Sequence, residues 1–133
     1  MKESTNLIKK SVLDNIWLKK NVLKQNKKIL VLADKIFECL KNNGKVFICG
    51  NGGSAADAQH LAAEMMVRLN PKINRQPYPV ISLALDSSTL TAISNDYNFN
   101  KIYDRTLEAL SNKSDLLIAI STSGNSKNII NVL

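Results

Sequence analysis

Apolar residues recur at Ile8, Val12, Ile16 and Leu23, and then at Ile29, Leu32, Ala33, Ile36, Phe37 and Leu40, with polar residues between them. Steps of three, four and seven are the period of an α-helix, so this segment predicts two helices or one bent helix. Gly44 is expected to end it by adopting a left-handed conformation, with Lys41 favourably placed in the last turn. So much amphipathic helix ahead of the first strand must pack on something, either the rest of this domain or another subunit. A bundle between subunits is the preferred use.

Beyond Gly44 the pattern changes. Lys45-Val46-Phe47-Ile48-Cys49 is a short apolar run that ends in Gly50-Asn51-Gly52-Gly53-Ser54 and passes into an alanine-rich helical pattern from Ala55 to about Leu69. Three prolines fall in the connection from Asn70 to Pro79, which leads to a second run, Val80 to Leu85. Asp86, Ser87 or Ser88 can cap a helix over Thr89 to Asn95, and a further helix is predicted over Ile102 to Leu110. The third run, Leu116 to Ile120, enters Ser121-Thr122-Ser123-Gly124-Asn125-Ser126 and another helix start. Three apolar runs separated by helices predict an α/β fold with a parallel sheet covered on both faces. The domain reading is one domain over 1–133, with a helical segment at 1–43 and the start of an α/β sandwich at 44–133. Because the last helix is barely two turns long at Leu133, the expectation is that these residues are part of a longer protein.

Composition narrows the class. The 133 residues are 44% hydrophobic and 22% charged, which excludes collagen-like and disordered chains. No apolar run approaches the roughly 20 residues of a membrane span, and the amino-terminal stretch has no signal-peptide cleavage pattern, so the chain reads as cytoplasmic with no membrane partner. Cys39 and Cys49 are too few for a disulfide framework and read as buried thiols. The net charge of +7 lies entirely in residues 1–50, where eleven lysines face four acidic residues, while residues 51–133 are balanced. Those lysines fall on the solvated side of the helical pattern without interleaved aromatic residues for base stacking, and Trp17 reads as a packing residue, so no nucleic-acid partner is expected.

In open parallel sheets, ligands bind at the carboxyl ends of the strands, and two of the three strands here end in loops suited to anions. The glycines of Gly50-Asn51-Gly52-Gly53-Ser54 let backbone N–H groups approach a ligand at a helix start, where the helix dipole also favours negative charge. Ser121, Thr122, Ser123 and Ser126 add hydroxyl donors around Gly124. Together these loops describe a phosphate cradle without Lys or Arg, suited to a singly phosphorylated small molecule such as a sugar phosphate. Neither the dinucleotide G-x-G-x-x-G spacing nor the P-loop string is present. On the helix after the glycine loop, His60 and Glu64 share a face and could supply part of a zinc site, with Glu64 a candidate general base. That carboxylate is expected to stand beside the phosphate pocket. Arg68, one turn beyond Glu64, and the pair Asn95 and Asp96, after the second strand, are further candidates.

Read in order, Gly50-Asn51-Gly52-Gly53-Ser54-Ala55-Ala56-Asp57-Ala58-Gln59-His60, Ala63-Glu64, Thr91-Ala92-Ile93-Ser94-Asn95-Asp96 and Ile120-Ser121-Thr122-Ser123-Gly124-Asn125-Ser126 closely resemble the sedoheptulose 7-phosphate isomerases, or phosphoheptose isomerases, of the sugar isomerase (SIS) superfamily. The resemblance covers essentially the whole chain. It implies a three-layer sandwich around a parallel sheet, and a homotetramer in which the amino-terminal helices form the central bundle. It implies conversion of D-sedoheptulose 7-phosphate to D-glycero-D-manno-heptose 7-phosphate through an enediol, the first step toward ADP-heptose or GDP-heptose precursors of lipopolysaccharide or capsule. By the same resemblance Glu64 is the catalytic carboxylate and a zinc ligand, and His60 is a second ligand of one zinc per subunit. Asn51, Gly52, Gly53, Ser54, Glu64, Asn95, Asp96, Ser121, Thr122, Ser123 and Ser126 are the implied substrate contacts. Family members continue for about one third more chain, which supplies a Gln and a His that complete the metal site.

The nearest rival of another class is a non-catalytic tetrameric SIS scaffold that associates with the bacterial replication initiator. In that group the position of Glu64 is typically not acidic, and Arg usually stands where this chain has Ser123. Both residues favour the enzyme. Other sugar-phosphate SIS proteins are the remaining alternative.

Overall fold

The structure is a computed structural model that describes residues 2–133, with side chains from Ser4 onward. The chain divides within its second helix into two compact units, one reaching to Lys35 and the other spanning Ile36–Leu133.

The first unit contains α1 (Lys2–Val22), a single 3-10 turn at Leu23–Gln25 and the beginning of α2 (Asn26–Lys41). Val22 and Asn26, on either side of the turn, keep right-handed helical backbone angles, so the two helices follow one another without a loop. The apolar stripe is real but uncovered in one chain. Ile8, Val12, Ile16 and Leu23 are 47 to 73% exposed, and Trp17, expected to be a packing residue, is 64% exposed.

The second unit is built on three parallel strands, β1 (Val46–Gly50), β2 (Val80–Ser82) and β3 (Leu116–Ile120), in the order β2-β1-β3. Each residue of the central strand β1 is buried. Successive side chains of a strand point to opposite faces, so a strand with covered faces on both sides must be apolar throughout. Val46 and Ile48 pack with Cys39 of α2 and with Ala58 and Ala62 of α3 (Gly53–Met66). On the opposite face Phe47 and Cys49 pack with Ile93 of α4 (Ser87–Asp96), with Ile102 and Tyr103 just before α5 (Asp104–Leu110), and with Ile129 of α6 (Lys127–Asn131). The alanines of α3 let that helix approach the sheet closely. Both thiols are buried and free, and burial pushes the Cys49 thiol up to about 11.

Local chemistry moved three boundaries away from the sequence expectation. Asn43, not Gly44, takes the left-handed position at the end of α2, with φ of 60°. Asn43 N–H donates to the Leu40 carbonyl and Gly44 N–H to the Cys39 carbonyl, which is a Schellman closure. Gly44 is required for space instead, since a Cβ there would lie 2.3 Å from the Ser114 carbonyl oxygen. Strand β2 stops at Ser82 and not Leu85, because the Ser82 hydroxyl accepts from Ala84 N–H and turns the chain. The helix expected over Ile102 to Leu110 begins later, at Asp104, after a 3-10 turn at Phe99–Lys101 that Asn98 caps. At α4 the expected Asp86 cap is present, accepting from Ser88 N–H.

At the amino ends of the strands, Asp115 pins β1 to β3. Its carboxylate accepts from Lys45 N–H at 2.7 Å and from Asn112 N–H at 2.8 Å, and pairs with Lys45 Nζ at 2.9 Å. Burial pushes this carboxyl up, but the Lys45 and Asn112 donors outweigh it and hold it below the usual carboxylate range. A lowered folded-state value means that the ionised form stabilises the fold at neutral pH, fully above the unfolded value near 3.9 and progressively less as pH falls through the folded value. Asp115→Asn should therefore cost about 2 kcal/mol at pH 7, the scale of hydrogen bonds to a charged group. In denaturant titrations the gap between variant and parent should shrink below about pH 4; a gap that does not change with pH would contradict this assignment.

Candidate functional site

The two anion-suited loops leave adjacent strands. Gly50 of β1 stands in register with Ile120 of β3, so the chain emerges from both strands at the same level of the sheet. Asn51, Ser54, Ile120, Ser121, Thr122, Ser123 and Ser126 line one pocket of about 50 Å³. That is several times the ~10–15 Å³ a single water needs, room for a small oxyanion. The lining contains no Lys or Arg.

The glycine loop has its shape for identifiable reasons. Gly52 has φ of 54° and ψ of −119°, a conformation open only to glycine. At Gly50 a Cβ would sit 2.5 Å from the Ser54 carbonyl oxygen, so the turn could not fold back onto the first turn of α3. The hydroxyl of Tyr103, buried beneath the loop, donates to the Gly50 carbonyl, and burial raises the pKa of this phenol. The carbonyls of Asn51 and Gly52 accept from the N–H groups of Ser54, Ala55 and Ala56, whereas Gly52 N–H and Gly53 N–H have no acceptor among the described residues. These two donors sit at the amino end of a fourteen-residue helix, where partial positive charge accumulates.

In the second loop the hydroxyls of Ser121 and Ser123 accept from the N–H groups of Gly124 and Asn125. A hydroxyl that accepts still carries one proton to donate. Ser54, Thr122 and Ser126 have no side-chain hydrogen bond among the described residues, so their protons are also uncommitted. The pocket therefore offers neutral donors from two loops, chemistry that binds an anion by hydrogen bonds without a fixed positive charge.

Other expected site residues lie apart from this pocket. His60 Nε2 and Glu64 Oε1 are 3.7 Å apart on α3, with side chains 74% and 28% exposed. Each follows a buried alanine, Ala58 or Ala62, by two residues, which on a helix turns it about 160° away from the sheet-facing side. Glu64 is also ten residues beyond Ser54, about 15 Å along the helix axis. A single chain thus does not bring Glu64 to the pocket, contrary to the sequence expectation. Asn95 and Asp96 are exposed in the last turn of α4, where Asn95 Nδ2 donates to Asp96 Oδ1 at 3.0 Å, and neither lines the pocket. Arg68 lies exposed beyond the end of α3.

Two tetrahedral zinc ligands at ordinary bond lengths stand about 3.3 Å apart, so the 3.7 Å His60–Glu64 separation suits two positions of such a site. Two ligands do not make a zinc site, and no cluster of three or more His, Cys, Asp or Glu placed for a metal occurs among the described residues. A larger cavity, about 550 Å³, lies between the end of β2 and helices α4 and α5; it is mostly apolar and holds none of the expected site residues. Sequence reasoning missed Asn128 and Tyr103. Tyr103 reads as an ordinary core aromatic, and nothing in Lys127-Asn128-Ile129 distinguishes a buried amide from a surface one.

A model of the SIS domain family matches residues 15–133. The chain belongs to the SIS domain family. Among curated SIS relatives, a phosphoheptose isomerase of Aliarcobacter butzleri is 58% identical over 102 residues, 76% of this chain and 53% of that protein. One of Chlorobaculum parvum is 44% identical over 128 residues, 96% of this chain and 61% of the relative. Among solved structures, phosphoheptose isomerase GmhA from Neisseria gonorrhoeae superimposes with a TM-score of 0.74 at 39% identity, covering 94% of this chain and 66% of that one. The present SIS chain spans about half to three fifths of the length of the curated relatives it matches.

Gly53 separates fold from ligand. It has no positive φ, and a Cβ there would meet nothing within 4 Å, so neither backbone strain nor crowding requires glycine. Gly53→Ala should leave the thermal midpoint unchanged or slightly raised, since Ala favours a helix by about 0.5–1 kcal/mol. Calorimetric titration with inorganic phosphate should nonetheless show weaker binding if this backbone closely approaches the anion. A variant that binds phosphate as the parent does would remove Gly53 from the site.

Proposed function

We propose that this chain acts as a sedoheptulose 7-phosphate isomerase, forming D-glycero-D-manno-heptose 7-phosphate for nucleotide-activated heptose synthesis. The observation that carries the reading is the convergence of two donor-rich loops on one pocket that fits a small oxyanion and lacks a cation. The similarity to proteins named phosphoheptose isomerase supports the same substrate class.

In this reading the hydroxyls of Ser54, Ser121, Thr122, Ser123 and Ser126, with Gly52 and Gly53 N–H, hold the 7-phosphate, and Asn51 borders it. Asn95 and Asp96 are proposed contacts to the sugar hydroxyls. Isomerisation needs a base that takes a proton from C1 of the ketose and returns one to C2, while a proton moves from the C1 oxygen to the C2 oxygen through an enediol. Glu64 is the proposed base. Because the Glu64 face of α3 is turned away from the sheet, the working site in this reading combines Glu64 of one copy with the phosphate pocket of another. His60 and Glu64 would hold two positions of a zinc ion, whose remaining one or two ligands come from other residues. Such an ion, when bound, polarises the substrate oxygens and stabilises enediolate charge.

A site shared between copies requires an oligomer, and we propose a homotetramer built on the first unit. The exposed stripe of Ile8, Val12, Ile16 and Leu23 is the apolar surface available for it. A protein of this kind works in the cytoplasm, and no helix of the described residues is long and apolar enough to cross a membrane.

Two measurements test the reading. Glu64→Gln should lower turnover of sedoheptulose 7-phosphate at least 100-fold, the lower range for a positioned general base; undiminished turnover would remove Glu64 from the chemistry. Replacing Ile8 and Ile16 together by Glu should shift the sedimentation coefficient toward the monomer and abolish turnover with it. A dissociated but fully active variant would sink the shared site.

A further inference from the structure

Asn128 is polar and 2% exposed, yet it does not line the pocket. Its carboxamide meets that of Asn51, 77 residues earlier, in a closed pair: Asn51 Nδ2 donates to Asn128 Oδ1 at 2.9 Å, and Asn128 Nδ2 donates to Asn51 Oδ1 at 2.7 Å. A buried amide without partners costs free energy, and this pair satisfies both groups at once. We propose that Asn128 is a positioning residue of the phosphate pocket, acting through Asn51. The proposal rests on the reading of that pocket given above.

A carboxamide has two N–H donors and two acceptor lone pairs. The closed pair uses one donor and one lone pair of Asn51, which leaves its second N–H for a ligand. A single hydrogen bond would let the amide of Asn51 turn over and present its oxygen, which repels an anion. Within the pair, turning Asn51 alone would set nitrogen against nitrogen and oxygen against oxygen, so its amide can turn over only together with that of the buried Asn128. The same pair ties the loop after β1 to the first turn of α6, the segment that follows the hydroxyl loop after β3. Both donor sets are thereby held about one point. Tyr103 restrains the same loop at the Gly50 carbonyl, but it does not fix the orientation of a pocket side chain.

The test is a double-mutant cycle read by calorimetric titration of the full chain with inorganic phosphate, with the thermal midpoint followed in parallel. Asn128→Leu, similar in shape but without polar atoms, should weaken phosphate binding about tenfold, the scale of one lost hydrogen bond to a charged group. In an Asn51→Ala background the same change should have no further effect on binding, because the residue through which Asn128 acts is gone. An additive loss would show that Asn128 acts by another route, and unaltered binding in Asn128→Leu would show that it does not act at all; either overturns the proposal. A parent chain that binds no phosphate would instead remove the pocket reading itself, and the positioning role with it. Should Asn128→Leu fail to fold, side-chain amide NMR of the parent decides. One Nδ2 proton of Asn51 should stay protected from exchange while the other shifts on adding phosphate, and two protons that exchange or shift together would refute the closed pair.

Discussion

The burial of β1 on both faces and both edges is the constraint from which the rest of the second unit follows. A five-residue strand with no exposed side chain must be apolar at every position, must have a strand on each side, and must have helices above and below. Its ends are therefore the only places where polar chemistry can begin. At the amino end Lys45 and Asp115 set the register against β3, and at the carboxyl end Gly50 releases the chain into the pocket loop. The pocket is a direct consequence of that geometry, since two parallel strands in register deliver their following loops to the same level.

The pocket is built without fixed charge. The seven excess positive charges belong to residues 1–50, whereas the donors around the pocket are hydroxyls and backbone N–H groups. In the proposed reading, neutral donors at a helix start, with positive-φ glycines at 52 and 124 and an amide pair beside them, would hold an anion through direction and number.

The placement of Glu64 carries a second lesson. Residues four apart on a helix share a face, and His60 and Glu64 do so, but that face is turned away from the sheet because the alanines two positions earlier are turned toward it. One chain therefore separates the acid–base candidate from the hydroxyl-lined pocket. The same chain leaves the amino-terminal stripe bare, and assembly of copies would address both.

Much of this was legible in the residue order. Apolar runs at 45–49, 80–85 and 116–120, separated by helical periods, were enough to point to a parallel sheet covered on two faces, although the second run overreached β2 by three residues. The glycine string and the Ser/Thr string were legible as donors because their chemistry is local. Contacts between distant residues were not. The order of residues does not say that Asn43 would take the left-handed position and free Gly44 for close approach to Ser114, nor that Asn128 would meet Asn51 across 77 residues. Whether a polar side chain is buried against a partner or left in water depends on which elements pack together, and only the tertiary structure decides that. Local pattern determined which elements form and which donors they carry; packing determined which of those donors face one another, because hydrophobic burial fixes the placement of the elements and the polar groups take whatever neighbours that placement brings.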